Sequence, residues 1–284
     1  MPYTYYRLDA FAKTEQGGNP AAVVINSDHL GDDEMQQIAK AIGLSETAFI
    51  MASKVADFKI RFFTPTDEVN LCGHATIASF YLLKHLNIIK DGVYQQETKA
   101  GILSVHLEGD FVWMEQAKPV FYQMADPDEI AFSLGITQAG FLEGYPIQVV
   151  STGISDLFVP IRSLDLLLSL KPDMHQVALI SQKYRTIGYH LFSMETYGGT
   201  CHTRSIAPLI GIDEEAATGT ANGALACYLA HHGLKKVDET PWVMEQGYGM
   251  NRPSEIQVKL VMNQDTILEV WVGGTAKNIQ KVIL

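Results

Sequence analysis

Two stretches of the chain alternate apolar and polar residues in the manner of half-buried β-hairpins. Leu103-Ser104-Val105-His106-Leu107 passes through the polar turn Glu108-Gly109-Asp110 and leaves as Phe111-Val112-Trp113-Met114. Ile256-Gln257-Val258-Lys259-Leu260 does the same around Asn263-Gln264-Asp265, leaving as Ile267-Leu268-Glu269-Val270-Trp271. A period of two sends alternate side chains to opposite faces, and the polar turns close antiparallel strands. Two other stretches carry small and apolar residues with almost no charge. Ala75, Ala78 and Ser79 with Leu82, Leu83 and Leu86 form one; Ala221, Gly223, Ala224 and Ala226 with Leu225, Tyr228 and Leu229 form the other. A helix so poor in charge is buried on all sides, and the simplest arrangement wraps it in its own sheet. Short helices are predicted at Asp32 to Ile42, Asp126 to Leu134 and around Leu164 to Leu170, with Asp32 and Asp126 as N-caps.

The elements recur. Arg61-Phe62-Phe63-Thr64-Pro65 resembles Arg204-Ser205-Ile206-Ala207-Pro208, 143 residues on (61 to 204). Gly73-His74-Ala75-Thr76-Ile77-Ala78 lines up with Gly219-Thr220-Ala221-Asn222-Gly223-Ala224, 146 residues on (73 to 219). His85 and His231 end the two helical stretches at that same spacing. Short matches arise by chance, but here strand, proline, acidic loop, glycine, helix and hairpin follow in one order twice. The expected fold is α+β, with two pseudo-symmetric lobes, each a mostly antiparallel β half-barrel around a central helix. The boundary falls between residues 118 and 119, so the lobes are 1–118 and 119–284, with the last strand free to pack on the first lobe.

Composition narrows the class. The 284 residues are 47% hydrophobic and 19% charged, enough to build a sizeable core. A net charge of −11 repels phosphate backbones and anionic membranes, so neither nucleic acid nor membrane is an expected partner. The opening Met1-Pro2-Tyr3-Thr4-Tyr5-Tyr6-Arg7 lacks the basic-then-apolar order of a signal peptide. No stretch approaches the roughly 20 apolar residues that span a bilayer. Cys72, Cys201 and Cys227 are odd in number and form no C-x-x-C, as expected of free thiols in a reducing compartment. A cytoplasmic location is expected.

Three places carry candidate chemistry. Gly73-His74 and Gly219-Thr220 each open a buried helix, whose first turn offers unpaired N–H groups and a partial positive charge to a small anion; the same glycines are also explained by tight packing. Glu46, in Leu44-Ser45-Glu46-Thr47-Ala48-Phe49, is either a solvated loop acid or a general acid/base whose pKa burial raises. Glu214 and Glu215 precede the second helix, either as helix-dipole partners or with one of them turned into the cleft. No Walker A loop, G-x-G-x-x-G, G-x-S-x-G or H-E-x-x-H occurs, and the nine histidines have no zinc-like spacing. Neither a cofactor nor a metal is expected.

The residues resemble the phenazine-biosynthesis PhzF-type isomerase family, within the diaminopimelate epimerase fold. The resemblance runs through Asp9-Ala10-Phe11, Gly18-Asn19-Pro20-Ala21-Ala22-Val23-Val24, Ser45-Glu46-Thr47-Ala48-Phe49, Arg61 to Thr66 with Glu68, and Cys72-Gly73-His74-Ala75-Thr76. It continues through Glu97-Thr98-Lys99-Ala100-Gly101, Gly211-Ile212 with Thr218-Gly219, Glu245-Gln246-Gly247, and Met250 with Arg252-Pro253-Ser254. It implies an active site between the lobes and no cofactor. It implies that Glu46 moves a proton from one carbon of a small carboxylate substrate to another, with His74 and Glu215 as its catalytic partners. Asn19, Gly73, Gly219 and Thr220 are implied to bind the substrate. A homodimer is the expected assembly.

The chain departs from the family at three positions. Glu215-Ala216 stands where aspartate-proline is usual, moving the carboxylate by about 1.5 Å, one carbon–carbon bond. Thr220 stands for the commoner serine and Asn251 for glycine. Two other functions fit the same fold. A two-base racemase needs a thiol in each lobe; Cys72 supplies the first, and Thr218 stands where the second is needed. A binding protein that has lost turnover is the other.

Overall fold

In the computed structural model, residues 3–284 are described; Met1 and Pro2, which open the stretch read for a leader, lie outside them. The chain divides into two compact units, Met1–Glu115 with Gly273–Leu284, and Gln116–Val272. Among the described residues no helix is long and apolar enough to cross a membrane.

In the first unit, strand Thr4–Ala10 pairs antiparallel with Ala276–Ile283 on one side and with Asn19–Val24 on the other. Asn19–Val24 then runs parallel to Glu46–Met51, with Val23 opposite Ala48. A parallel pair needs a crossover, and helix α1 (Asp32–Ile42) supplies it. Met35, Ile38 and Ala39, at helical spacing, bury against Val24, Phe49 and Phe63. The N-cap is Gly31 rather than the expected Asp32: Asp32 is the first helical residue, and the Gly31 N–H donates to the Glu34 carboxylate (3.1 Å). Glu46–Met51 pairs antiparallel with Phe58–Phe63, which pairs parallel with Gly92–Thr98. The crossover here is helix α2 (Gly73–His85), the predicted charge-poor stretch, buried along most of its length. The predicted hairpin is present as Gly101–Glu108 antiparallel to Phe111–Gln116.

The second unit repeats this order. Gln148–Ser151 pairs antiparallel with Ser155–Pro160, which runs parallel to Tyr189–Ser193. Tyr189–Ser193 pairs antiparallel with Cys201–Ala207, which runs parallel to Trp242–Gln246, itself antiparallel to Ser254–Asn263. Helix α3 (Pro127–Leu134) starts at Asp126, whose side chain accepts from the Asp128 N–H as predicted. Helix α4 (Leu164–Ser169) also falls where expected. Helix α5 (Met174–Tyr184) was not predicted. Asp173 caps it, and Val177, Ile180 and Tyr184 sink into a core with Leu157, Leu191 and Ile206. Helix α6 (Gly219–His231) is the second charge-poor helix and is buried almost throughout.

Each unit therefore follows one plan, with a buried helix crossing between two parallel strands of a mixed sheet. The repeated arginines have one job in both. Arg61 donates to both carboxylate oxygens of Glu68 (Nε 2.8 Å, Nη2 2.9 Å). Arg204 donates to both of Glu214 (Nε 2.9 Å, Nη2 2.8 Å). The two-pronged grip pushes Arg61 further up, and it holds the Glu68 carboxyl near a pKa of about 2 despite partial burial.

Candidate active site

In the first unit, three elements meet at the start of α2. Glu46 begins its strand, Asn19 begins the neighbouring parallel strand, and His74 is the second residue of the helix. His74 Nε2 lies 3.0 Å from Glu46 Oε2, short of the alignment of a full hydrogen bond, and both side chains are largely buried. Asn19 Nδ2 is 3.3 Å from His74 Nδ1 and fixes the ring. As placed, that amide suits an imidazole protonated on Nε2; turned over, it would accept from a doubly protonated ring. Gly73 precedes His74 as the first residue of the helix and is buried. Cys72, at the N-cap, sets Sγ 3.5 Å from His74 Nδ1.

The electrostatics differ from the sequence expectation. Burial alone would raise the Glu46 carboxyl, but the charge and close polar contact of His74 outweigh it and hold the pKa below its usual value. Burial opposes charge on His74, yet Cys72, where its sulfur is ionised, and the Glu46 carboxylate push the imidazole above its usual value. The Cys72 thiol is pushed up, chiefly by burial, and stays neutral near pH 7. The contact thus favours a carboxylate beside an imidazolium, whereas the sequence reading has burial raise the pKa of this acid. The reason is the histidine, which the sequence motif named but could not place.

The ligand atoms of Glu46, Cys72 and His74 also lie within 4.8 Å of one another, a donor set that could take a divalent ion. The spacing of the histidines along the chain did not reveal this set.

In the second unit the corresponding turn has no histidine. Thr218 is the N-cap, Gly219 the first residue of α6 and Thr220 the second, the position His74 holds in α2. The adjacent acids separate: Glu214 goes to Arg204, and Glu215 Oε2 accepts from Thr218 Oγ1 at 2.6 Å. The main chain of Thr218 is held by polar side chains. Its N–H donates to Gln246 Oε1 (3.1 Å) and its carbonyl accepts from Asn222 Nδ2 (2.9 Å). Asn222 Nδ2 also donates to Gln246 Oε1 at 2.7 Å, and Gln246 Nε2 donates to the Glu215 carbonyl at 2.8 Å. Thr220 presents its carbonyl to Thr152 Oγ1 (3.4 Å).

The Glu245-Gln246-Gly247 motif is explained here. Glu245, fully buried, accepts from the N–H groups of Tyr197 and Gly199 and from His202 Nδ1. Gly247 sits at φ +79°, where a Cβ would meet the Ala216 carbonyl oxygen at 2.6 Å. Asn222 lies one helical turn after Thr218, a spacing legible in the sequence but not read there. A cavity of about 800 Å³ in this unit, lined by residues including Phe141, Tyr145 and Arg162, contains none of the predicted site residues.

A carboxylate–imidazole pair at the start of a buried helix can take up and return a proton. The chain matches the family described as phenazine biosynthesis-like protein (PhzC-PhzF) over residues 8–281, and it belongs to that family. It is 38% identical to an uncharacterized isomerase of Clostridium acetobutylicum, over 96% of this chain and 95% of that one. It is 30% identical to trans-2,3-dihydro-3-hydroxyanthranilate isomerase of Pseudomonas fluorescens, over 96% and 95%. The crystal structure of a Bacillus anthracis phenazine biosynthesis protein of the PhzF family superposes with a TM-score of 0.92 at 29% identity, covering 100% of this chain and 99% of the other. The chain is an isomerase of this family.

Proposed function

We propose that this protein moves a proton between two carbons of a small carboxylate-bearing metabolite, with Glu46 as the single proton carrier and without a cofactor. The Glu46–His74 pair carries this reading. Glu46 is ionised at rest and so ready to accept a proton from a carbon acid, and its burial keeps water from competing for that proton. His74 keeps it ionised at rest and supplies a second proton-bearing group at 3.0 Å. The first-turn N–H groups of α2, from Gly73 onward, suit the carboxylate of a substrate. Asn19 orients the imidazole, and Glu215, Gly219 and Thr220 are the other proposed site residues.

The 30% identity to an isomerase of a cyclic amino-carboxylate supports a substrate of that general kind. Glu215 in place of the usual aspartate argues against assuming the same compound. The working location is proposed as cytoplasmic and the assembly as a homodimer.

The test is proton exchange. The protein is mixed with a panel of cyclic and amino carboxylates in deuterium oxide, and NMR reads which carbon takes up deuterium. Wild-type protein should label one carbon of a member of the panel, and Glu46→Gln should not, while keeping its fold by circular dichroism. Exchange by Glu46→Gln at the wild-type rate would refute the single-carrier mechanism.

A further inference from the structure

Asp156 lies in strand Ser155–Pro160, between Gln148–Ser151 and Tyr189–Ser193, with α6 packed on the same strand. The residue is 2% exposed, and its Oδ2 has no hydrogen-bond partner. A buried carboxylate without a donor is costly, whereas the un-ionised acid is tolerated. The charge of Glu215 adds to the cost of ionising it.

The hydrogen bonds around Glu215 have a fixed sense. The Thr218 carbonyl can only accept, so the Asn222 amide must present its nitrogen there, and Asn222 Oδ1 faces His190 Nε2 (3.2 Å). The Thr218 N–H can only donate, so Gln246 must present Oε1 to it. Gln246 Nε2 is then left to donate to the Glu215 carbonyl and to Thr218 Oγ1 (3.1 Å). Having received that hydrogen, Thr218 Oγ1 aims its own at Glu215 Oε2. The series runs one way, from His190 through Asn222, Gln246 and Thr218, and makes Glu215 Oε2 an acceptor. That favours the ionised form of Glu215 and leaves any shared proton to its neighbour.

We infer that Asp156 and Glu215 form an unequal carboxyl pair, in which Asp156 holds the proton and acts as a positioning residue that keeps Glu215 a carboxylate. Burial first, and the Glu215 charge second, push the Asp156 carboxyl up to about 8. His190, on the adjacent strand, is driven down to about 4 by burial and brings no positive charge. Gln148–Ser151 carries no ionisable side chain, and those of α6 are Cys227, Tyr228 and His231. Tyr189 is the other ionisable group on its strand, and burial keeps its phenol protonated. Nothing in the alternation of Ser155-Asp156-Leu157-Phe158 marks the acid as more than a polar residue on a strand. The consequence for turnover rests on the proposed isomerase reading; the protonation of Asp156 does not.

The experiment follows the side-chain carboxyl of Asp156 by carbon-13 NMR in the full chain, with the signal assigned by its loss in Asp156→Asn. A midpoint above about 6 is expected, and one below about 6, nearer the ordinary aspartate value, overturns the pair. Thr218→Val removes the hydrogen aimed at Glu215 and should lower that midpoint, because Glu215 then competes for the proton; an unmoved midpoint also overturns it. Thermal melts give a second readout. The wild-type melting temperature should fall from pH 5 to pH 8 more steeply than that of Asp156→Asn, since an acid whose folded pKa is raised costs stability as pH climbs towards that pKa. Equal slopes count against the inference. Absence of proton exchange by wild-type protein on every substrate would sink the isomerase reading while leaving these titrations to decide the pair.

Discussion

In one unit an arginine grips Glu68 and a buried helix begins Cys72-Gly73-His74; in the other an arginine grips Glu214 and the helix begins Thr218-Gly219-Thr220. Behind each helix start stands a side chain one turn on, Thr76 or Asn222, hydrogen-bonded to the N-cap carbonyl and to a glutamine on the strand that follows. These supports are alike because both units must seat a helix N-terminus against a sheet without leaving its polar groups bare. The titratable chemistry differs. The first unit places an imidazole against a carboxylate, which charges both groups. The second places a carboxylate beside a threonine hydroxyl and within the field of another acid, which charges one and neutralises the other. Duplication preserved the frame, and a few side chains at the helix starts set the two chemistries apart.

The sharpest way to break that contrast is to remove the acid from each unit in turn. Glu46→Gln should lower deuterium exchange by about 10²–10⁴-fold, the usual contribution of a general base. Glu215→Gln, which keeps an acceptor for Thr218, should lower it by roughly tenfold, about 1.4 kcal/mol. The pH profile separates them further. Glu46 has a lowered pKa, so the carboxylate persists through neutral pH and exchange fails only on strong acidification. His74 has a raised pKa, so the ion pair is lost as pH climbs through it, giving an alkaline limb that His74→Gln should abolish. Equal losses from Glu46→Gln and Glu215→Gln would erase the functional asymmetry.

How far the sequence carried this picture depends on whether a feature is local. The buried helices and the Arg61 and Arg204 repeats were legible because a lack of charge and a fixed spacing are written along the chain. Glu46 and His74 could be named as partners by family likeness, but not the direction of their pKa shifts. That direction depends on a 3.0 Å contact between residues 28 positions apart in sequence (46 and 74). Helix α5 was missed because its apolar stripe is only Val177, Ile180 and Tyr184, broken by polar neighbours, and the helix is held by tertiary packing. Asp156 was invisible: its burial and the orphaned Oδ2 exist only once the strands are assembled.

The arginine grips test whether the frame is as symmetric as it looks. Arg204 also donates from Nη1 to the Leu167 and Leu170 carbonyls at the end of α4, and its side chain is 10% exposed. Arg61 is 17% exposed and adds a contact to the exposed Asp32 and one over the Phe63 ring (5.1 Å). Arg204→Ala should therefore cost about 3 kcal/mol in urea unfolding, and Arg61→Ala roughly 1–2 kcal/mol. Arg61→Ala has a second signature. The Glu68 pKa is depressed to about 2, so its contribution is present above the ordinary glutamate range and disappears as pH falls through about 2. The variant should lose part of that acid-side slope, and Arg204→Ala should retain it. Equal costs would mean that the extra carbonyl contacts of Arg204 contribute nothing.

The smallest expected effect concerns the residue in which the two helix starts differ by one thiol. Cys72 lies beside His74, and a racemase-like mechanism would make it a base, paired with a second thiol where Thr218 now stands. Its buried thiol is pushed up and stays protonated at neutral pH, while the neighbouring carboxylate is already ionised. A proton carrier must shed its proton readily at the working pH, and of these two groups only Glu46 does so. Cys72→Ser should consequently change the exchange rate by less than about threefold, roughly 0.6 kcal/mol. Adding Thr218→Cys should not open a second exchange route. If Cys72→Ser abolished exchange as completely as Glu46→Gln, the thiol would be the base and the helix starts would differ in the opposite sense, with the first unit carrying half of a two-thiol mechanism that the second had lost.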